Sequence, residues 1–441
     1  MSDRDIFATD YSETPYWWRD APLRELPRAE PPAACDVVVI GGGYAGLNAA
    51  MTLADHGRSV CVLEAQRFGE GASSRNGGMV SGGANVGKST DLARKIGEQA
   101  YRELLLDARE SLDHFERVIA DEGIDCDHQP VGRFTGAWTP KHYAALKAKA
   151  ERLSRDSGGK AYLVPLEQQH EYIGSERYFG GMVVERTAGI QPARYLGGLL
   201  DAALRRGVTA LDRTPALGLS GGPGNFEVTT PSGAIRARDV LVSVNGYANT
   251  ATRWERNRTI PVASDAIATE EIGEGRVREL FPQWHMMGET KRILNYFRPS
   301  PDRKRVIFGG RATFAADADV GRAARILHGR LVTIFPQLEG VRLSHAWSGN
   351  VAFTFRRIPH MGVHDGVHFC FGCNGSGVAM MSYLGHRTAE KLLGVEERPC
   401  GFERMAPLSL PFYAGRPWFL PAVGSWWGLL DRLERQAVGG A

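Results

Sequence analysis

The sequence is short of several things, and each shortage excludes something. There is no run of about 18 apolar residues, so nothing is suited to crossing a bilayer as a helix. There is no block of lysine or arginine, and the formal net charge is only +3, which argues against nucleic acid as a partner. Cysteine is sparse: Cys35, Cys61, Cys126, Cys370, Cys373 and Cys400. Cys370 and Cys373 are C-x-x-C by count alone; their strand-to-glycine-loop setting suits neither a redox pair nor zinc, and no metal is expected. With no disulfide pattern and no signal peptide, the expected compartment is the reducing cytoplasm. No internal repeat and no low-complexity tract is present. What remains is 43% apolar and 23% charged, an ordinary globular composition long enough for two domains sharing an interface.

One stretch organises the rest. Val37-Val38-Val39-Ile40 is a β-branched run that enters Gly41-Gly42-Gly43-Tyr44-Ala45-Gly46, and an Ala-rich, helix-competent segment leaves it. Gly41, Gly43 and Gly46 fit G-x-G-x-x-G: a tight turn, a bare backbone for a pyrophosphate, and close packing of helix on strand. The helix presents unpaired N–H groups and a positive dipole to that phosphate. A second apolar run, Ser59-Val60-Cys61-Val62-Leu63, ends in Glu64, 21 residues past Gly43, where an acid grips a ribose hydroxyl. Ala65 follows it.

NAD and FAD share this fingerprint. The next clue is Gly71-Ala72-Ser73-Ser74-Arg75-Asn76-Gly77-Gly78, whose small polar side chains and glycine amides suit a diphosphate. Here the chain resembles the D-amino-acid-oxidase-like FAD oxidoreductases, the group of glycine and sarcosine oxidases, and within it most the gamma-glutamylputrescine oxidoreductase branch. The resemblance implies FAD, with Ser73, Ser74, Arg75, Asn76 and Gly77 near its pyrophosphate, ribityl chain and flavin edge. It also places Ala216, in Thr214-Pro215-Ala216, beside the adenine, and closes Asn245-Gly246-Tyr247 over the cofactor.

The rest of the chain is read in order. Residues 1–34 are rich in proline and aromatics, with Tyr16-Trp17-Trp18 predicting an arm docked on the body or a patch for a partner. Apolar spacing predicts a helix or helix pair over 89–121 and a helix over 140–155, with a strand at Val131–Trp138 between them. A helix opens at Gly189–Tyr195 with proline near its start and ends near Gly207, followed by a strand at 208–211. Hairpin strands at 226–230 and 234–237 flank Pro231-Ser232-Gly233, and a buried strand follows from Asp239 to Tyr247. Arg292–Arg298 and Val306–Arg311 predict antiparallel strands against which the resembled family builds its substrate pocket. Asn295, Tyr296 and Arg311 can each face it or face away, because the register is open.

A second glycine loop closes the cofactor site. Trp347-Ser348-Gly349 and Pro359–Gly362 match family landmarks, and Asn374-Gly375-Ser376-Gly377-Val378 leads into a helix through Leu393. A helix N-terminus there stabilises the negative charge of a reduced flavin. The loop lacks the histidine of many relatives, and Arg356-Arg357 stand where many have an acid. These arginines either clamp a substrate carboxylate or are solvated and tie loops together. Cys373 is a small filler or a thioether site. The tail after residue 401 combines tryptophan and arginine, which suits a membrane interface or packing on the protein itself.

The expected fold is α/β: a discontinuous Rossmann-like FAD domain (35–88, 185–260, 343–400) with an inserted α+β substrate domain built on an antiparallel sheet (89–184, 261–342), an arm (1–34) and a tail (401–441). The resemblance implies non-covalent FAD and oxidation of an amine or amino acid, with Tyr296, Arg356 and Arg357 as candidate substrate residues and oxygen or quinone as acceptor. Relatives carry a lysine beside the flavin that favours oxygen; Val306-Ile307-Phe308 holds none, although Lys291 lies nearby in sequence. The expected place is the cytoplasm, with the tail able to touch the inner face of a membrane. Two alternatives remain: a 2-hydroxyacid dehydrogenase using His345 or His360 as base, and a flavoprotein subunit of an electron-transfer complex.

Overall fold

The computed structural model describes residues 6–82, 92–156, 159–312 and 319–439. The expected domain boundary at 88 and the first residues of the helix expected from 89 lie outside them.

The β-branched run forms the strand Ala34–Ile40, which pairs in parallel with Val60–Leu63 through the helix Tyr44–Asp55. That helix is apolar on every side: Leu47, Ala49, Ala50 and Leu53 are wholly buried. It is therefore a core helix, covered on both flanks. Among the described residues the sheet has eight strands. Thr209–Leu211 extends it at one edge, and Gly233–Val242 and Val367–Phe371 join in parallel on the other side of Ala34–Ile40. Two of the predicted strands are one. The ten residues Gly233–Val242 run without a break, making a hairpin with Asn225–Thr230 at their start and parallel pairs with Val37–Ile40 at their end. The chain leaves the sheet at Val242, and Asn245–Tyr247 is a 3₁₀ turn rather than strand.

The second sheet has nine strands among the described residues. Its centre is the antiparallel set Leu343–Thr354, Thr259–Thr269, Val306–Gly310 and Asn295–Pro299. Leu343–Thr354, grouped by sequence with the nucleotide segments, pairs here. Its Trp347 and Gly349 approach the loop Gly71–Gly78 at Arg75 from this sheet. Arg292–Leu294 stand outside the strand predicted for them. The helices Leu92–Ile96 and Glu98–Asp121 form the expected pair.

The arm is part of this second sheet. Phe7–Ser12 adds a parallel edge strand to Leu343–Thr354, and the short helix Trp17–Asp20 buries Tyr16 and Trp17 almost completely. Tyr16 sets its ring edge-on to His345. The aromatics offered by sequence to a partner are spent on the protein's own body.

The helix Gly377–Leu393 crosses Tyr44–Asp55 at backbone contact. A Cβ on Gly385 would lie 2.0 Å from the Ala45 carbonyl oxygen. The same helix is tied to Glu98–Asp121 through buried Asp107, which accepts from Tyr383 Oη (2.6 Å), Arg387 (3.3 Å), Arg398 (2.8 Å) and the Gly401 N–H (2.6 Å).

Two buried histidines make stability pH-dependent. Burial pushes both His345 and His360 down to about 4, helped by Arg305 beside the first and Arg356 beside the second. Both rings are neutral in the folded protein at neutral pH, whereas in the unfolded chain they take up protons near 6.5. Their contribution is complete above that value and is lost as pH falls from 6.5 to 4, by at most roughly 3 kcal/mol for each ring. The urea midpoint is expected to fall across that window, and His360→Gln to flatten the slope. A midpoint flat from pH 7 to 4.5 contradicts this.

Candidate functional site

The glycine turn is built by crowding. Gly41 has φ +107°, and a Cβ there would meet the Ser243 carbonyl oxygen at 2.9 Å. A Cβ on Gly46 would lie 1.9 Å from the Gly41 oxygen, so helix and strand can approach this closely only without a side chain. Gly43 is the N-cap residue of Tyr44–Asp55 and has no side chain to cap it. A Cβ on Gly43 would come within 2.9 Å of Ser73 Oγ, which accepts the Tyr44 N–H at 3.2 Å. Ser73 thus faces the helix N-terminus across a gap kept free of side chains.

Glu64 stands at the end of its strand, accepting N–H groups from Gly42 (3.0 Å) and Gln66 (3.1 Å). Burial raises its carboxyl, and those two N–H groups oppose the rise. Ala65 is exposed. Thr214 donates its N–H to the Glu64 carbonyl, which brings Pro215 and Ala216 to the same end of the sheet. Ala216 is buried, and its own carbonyl accepts from Asn249 Nδ2 at 3.3 Å.

The loop after Glu64 is held by three indoles. Trp17 Nε1 donates to the Asn76 carbonyl at 2.9 Å, Trp18 Nε1 to Ser74 Oγ at 2.8 Å, and Trp347 Nε1 to the Arg75 carbonyl at 2.8 Å. The Arg75 guanidinium lies over the Trp18 ring and reaches the Ser348 carbonyl. Ser74 also donates to the Gly69 carbonyl, so its hydroxyl is committed to the fold. Asn76 turns inward, donating to the carbonyls of Ala72 and Ser73 and to Tyr44 Oη, and accepting the Gly78 N–H. Buried Arg298 fixes the loop's end by donating to the Gly78 and Ile190 carbonyls at 2.6 and 2.8 Å. Gly71, with only Tyr247 within 4 Å of a Cβ position, leaves its face open.

Asn245 ties the second loop to the turn Asn245–Tyr247. Its Oδ1 accepts the Gly372 N–H at 3.0 Å, and its Nδ2 reaches Cys373 Sγ at 3.4 Å. Gly246 packs on the Asn350 carbonyl, the Asn350 N–H donates to Tyr247 Oη at 3.1 Å, and Gly349 lies against the Arg75 stem. Asn374 donates its N–H to Ala352 and accepts from Thr354. Gly375 is open on all sides to 4 Å, and Ser376 is the N-cap residue of Gly377–Leu393 without a capping side chain; Val378 behind it is buried. Two helices thus begin without a capping side chain on the N-cap residue itself: Tyr44–Asp55, whose first N–H is met by Ser73, and Gly377–Leu393. These donors and bare glycines suit a long molecule that is anionic in its middle and at one end.

Tyr296 reaches the loop Gly71–Gly78 from the nine-stranded sheet. Its ring lies against two bare glycines: a Cβ on Gly77 would be 2.5 Å from Cε2, and one on Gly309 would be 2.2 Å from Cζ. Its hydroxyl meets Ser264 Oγ at 3.2 Å. Burial raises the phenol, with Asp265 adding to the effect, so it stays protonated at neutral pH. Asn295, the next residue, faces away and gives both its N–H and its Nδ2 to Glu289. Arg311 lies over Phe353, its guanidinium lowered to about 10 by burial and by Arg357. Arg357 is exposed and stands 5.7 Å from the Trp427 ring. Arg356 donates from Nε to the Ala406 carbonyl, which ties the C-terminal segment to the sheet.

The family model described as DAO, FAD dependent oxidoreductase, matches residues 36–391. The chain belongs to this family of FAD-dependent oxidoreductases. It is 32% identical over 423 residues to gamma-glutamylputrescine oxidoreductase of Escherichia coli (strain K12), covering 90% of this chain and 93% of that one. It is 29% identical over 387 residues to a probable oxidoreductase, OrdL, of Haemophilus influenzae, covering 86% and 88%. Among solved structures, L-proline dehydrogenase from P. horikoshii superposes with a TM-score of 0.71 at 19% identity, over 85% of this chain and 98% of that one. Glycine oxidase from Geobacillus kaustophilus superposes at 0.68 with 21% identity, over 86% and 99%. These likenesses show the FAD-binding fold, and membership makes the protein a flavin-dependent oxidoreductase.

The bonds that hold the loop Gly71–Gly78 carried little signal in the sequence. Trp17 and Trp18 were legible as docked aromatics, not as donors to the loop. Arg298 and Ser264 carried no signal beyond being polar residues in strands.

Gly43→Val is expected to abolish flavin retention, because the side chain occupies the space in front of Ser73; full FAD content in the purified variant contradicts the site. Trp347→Phe removes the donor to the part-buried Arg75 carbonyl and is expected to cost about 1–3 kcal/mol, measured by urea unfolding. A loss below the experimental scatter would show that the loop does not depend on that bond.

Proposed function

We propose that this protein oxidises the C–H bond beside an amine nitrogen, in a small amine or amino acid, using FAD held without a covalent bond. The observation that carries the proposal is the Tyr296 ring lying against Gly77, which sets the nine-stranded sheet directly over the cofactor loop. FAD, when bound, supplies the two-electron acceptor: the carbon next to nitrogen gives up a hydride equivalent, and the resulting imine is hydrolysed to a carbonyl compound plus ammonia or a smaller amine.

The protein's own contribution is placement. The glycine turn and Ser73 bind the diphosphate, Glu64 the ribose, and the Asn374–Val378 loop the end of the flavin where negative charge accumulates. Tyr296, kept protonated, orients the donor carbon and offers a hydroxyl. Arg357 and Arg311, just beyond the ends of Leu343–Thr354 and Val306–Gly310, we assign to a substrate's acidic end, and Arg356 to tying the C-terminal segment. Cys373 is buried, with Sγ against the Ala352 carbonyl at 3.8 Å, which supports non-covalent flavin. An amine that arrives neutral needs no strong base. A 2-hydroxyacid needs one, and the two histidines available for it are elsewhere: His345 is packed on Tyr16, and His360 donates from Nδ1 to the Met405 carbonyl. The names of the relatives point the same way, since the E. coli protein is named for an amine derivative and the solved neighbours for proline and glycine.

The expected acceptor is a quinone or dye rather than oxygen. Val306–Gly310 is a wholly buried strand, and Lys291 is committed to Glu289 at 2.8 Å beneath the Trp138 ring. An ammonium held by its own carboxylate offers little to superoxide.

Anaerobic titration with amines, amino acids and hydroxyacids tests the substrate class. Amines or amino acids are expected to bleach the flavin band, and bleaching by hydroxyacids alone overturns the proposal. Mixing the reduced enzyme with air-saturated buffer tests the acceptor: reoxidation is expected to be slower than turnover with a quinone, and reoxidation by oxygen as fast as turnover contradicts it.

A further inference from the structure

The C-terminal segment has two faces of opposite character. The helix Leu420–Gly439 docks through its acids. Asp431 accepts from the backbone N–H groups of Arg292 and Ile293, Glu434 takes both terminal nitrogens of Arg292 at 2.7 Å, and Arg435 donates to the Trp138 carbonyl. Gly428 lies against Ile293. This inner face is a fitted contact, and it uses up every acidic side chain the helix has.

The outer face is apolar and cationic. Of the fourteen exposed large apolar side chains among the described residues, seven fall in residues 408–433. Trp418 is 76% exposed, Phe412 fully so, and Trp426, Leu429 and Leu433 recur at three- and four-residue spacing along one side of the helix. That spacing makes a continuous stripe. The exposed charged residues between 404 and 438 are Arg404, Arg416 and Arg432, of which Arg404 is ion-paired with Glu103. Tryptophan, leucine and arginine without acid are the composition of a surface that lies in the headgroup region of an anionic bilayer. No helix among the described residues is long and apolar enough to cross a membrane, so contact of this kind lies on the surface.

We propose that this face docks on an anionic lipid surface, with the indoles of Trp418 and Trp426 entering the headgroup layer and Arg416 and Arg432 pairing with phosphates. Charge decides against a second copy as the occupant. A two-fold contact presents the same patch on both sides, so Arg416 and Arg432 would face their own copies with no acid to relieve them. The inference does not depend on which substrate the enzyme oxidises, and packing of the inner face is compatible with it.

FAD-loaded protein is sedimented with vesicles of phosphatidylcholine, with and without phosphatidylglycerol. Pelleting is expected with the anionic vesicles, and about tenfold or more weaker binding on phosphatidylcholine alone and in high salt. Arg416→Glu with Arg432→Glu is expected to lower binding by a similar factor, and Trp418→Ser with Trp426→Ser to abolish it, with flavin content and melting temperature retained. The arginine variant decides alone if the serine variant does not fold, since both its positions are exposed. Equal pelleting on neutral and anionic vesicles, or none on either, overturns the proposal. So does a concentration-dependent dimer in sedimentation equilibrium that the same substitutions break.

Discussion

Three indole N–H groups meet three consecutive residues, Ser74, Arg75 and Asn76, and the order of the whole loop depends on that meeting. A loop of small residues has little core of its own and pays backbone entropy to be ordered. Here the order comes from outside. Each indole buries a large apolar ring and keeps one directed donor, a pairing of size and precision that aliphatic side chains lack. Two of the rings come from the N-terminal arm and one from the nine-stranded sheet, so the loop belonging to the eight-stranded sheet is fixed by its neighbour. Tyr296 then lies against the inner side of the same loop, at Gly77.

The two helix N-termini are aligned by another close approach. Gly385 lets Gly377–Leu393 rest on the backbone of Tyr44–Asp55 at Ala45, and buried Asp107 binds the other side of Gly377–Leu393 to the long helix Glu98–Asp121. Buried carboxylates of this kind are costly when a partner is lost, so the contact resists change even though its net contribution is modest. The result is a pair of helices fixed against each other at backbone contact. A charge-stabilising site works best when its dipoles need no reorganisation.

What was legible in the sequence was what is local and steric. Gly41, Gly43 and Gly46 are each demanded by atoms a few residues or one strand away, and their spacing carried that demand. Glu64 followed from its place at the end of the second strand. Tyr296 was legible as a type of residue but not as a direction, because Asn295 and Tyr296 alternate and only the pairing of Tyr296 with Gly309 decides which one faces the loop. Long-range bonds left no trace: nothing in Trp18 or Arg298 announces an acceptor 56 or 220 residues away. Trp347 misled in a particular way, since it touches the cofactor loop and yet belongs to a strand of the other sheet. Nearness to a site and membership of the unit that bears its motif are different facts. Arg356 showed the same limit, its charge being visible and its tether to Ala406 not.

The edge strand Phe7–Ser12 pairs with residues 343–345, and Trp347 reaches back to Arg75. During synthesis the arm and the flavin loop leave the ribosome early, and the strand that holds both leaves more than two hundred residues later. The glycine turn and its first parallel strands can form while the chain is short, but the loop waits for its clasp. Sequence separation of this size slows folding and leaves aromatic surface uncovered meanwhile. The nascent chain therefore carries Trp17, Trp18 and their loop acceptors without the strand Leu343–Thr354 for most of its time on the ribosome, and the third indole bond, from Trp347 to Arg75, is one of the last to form.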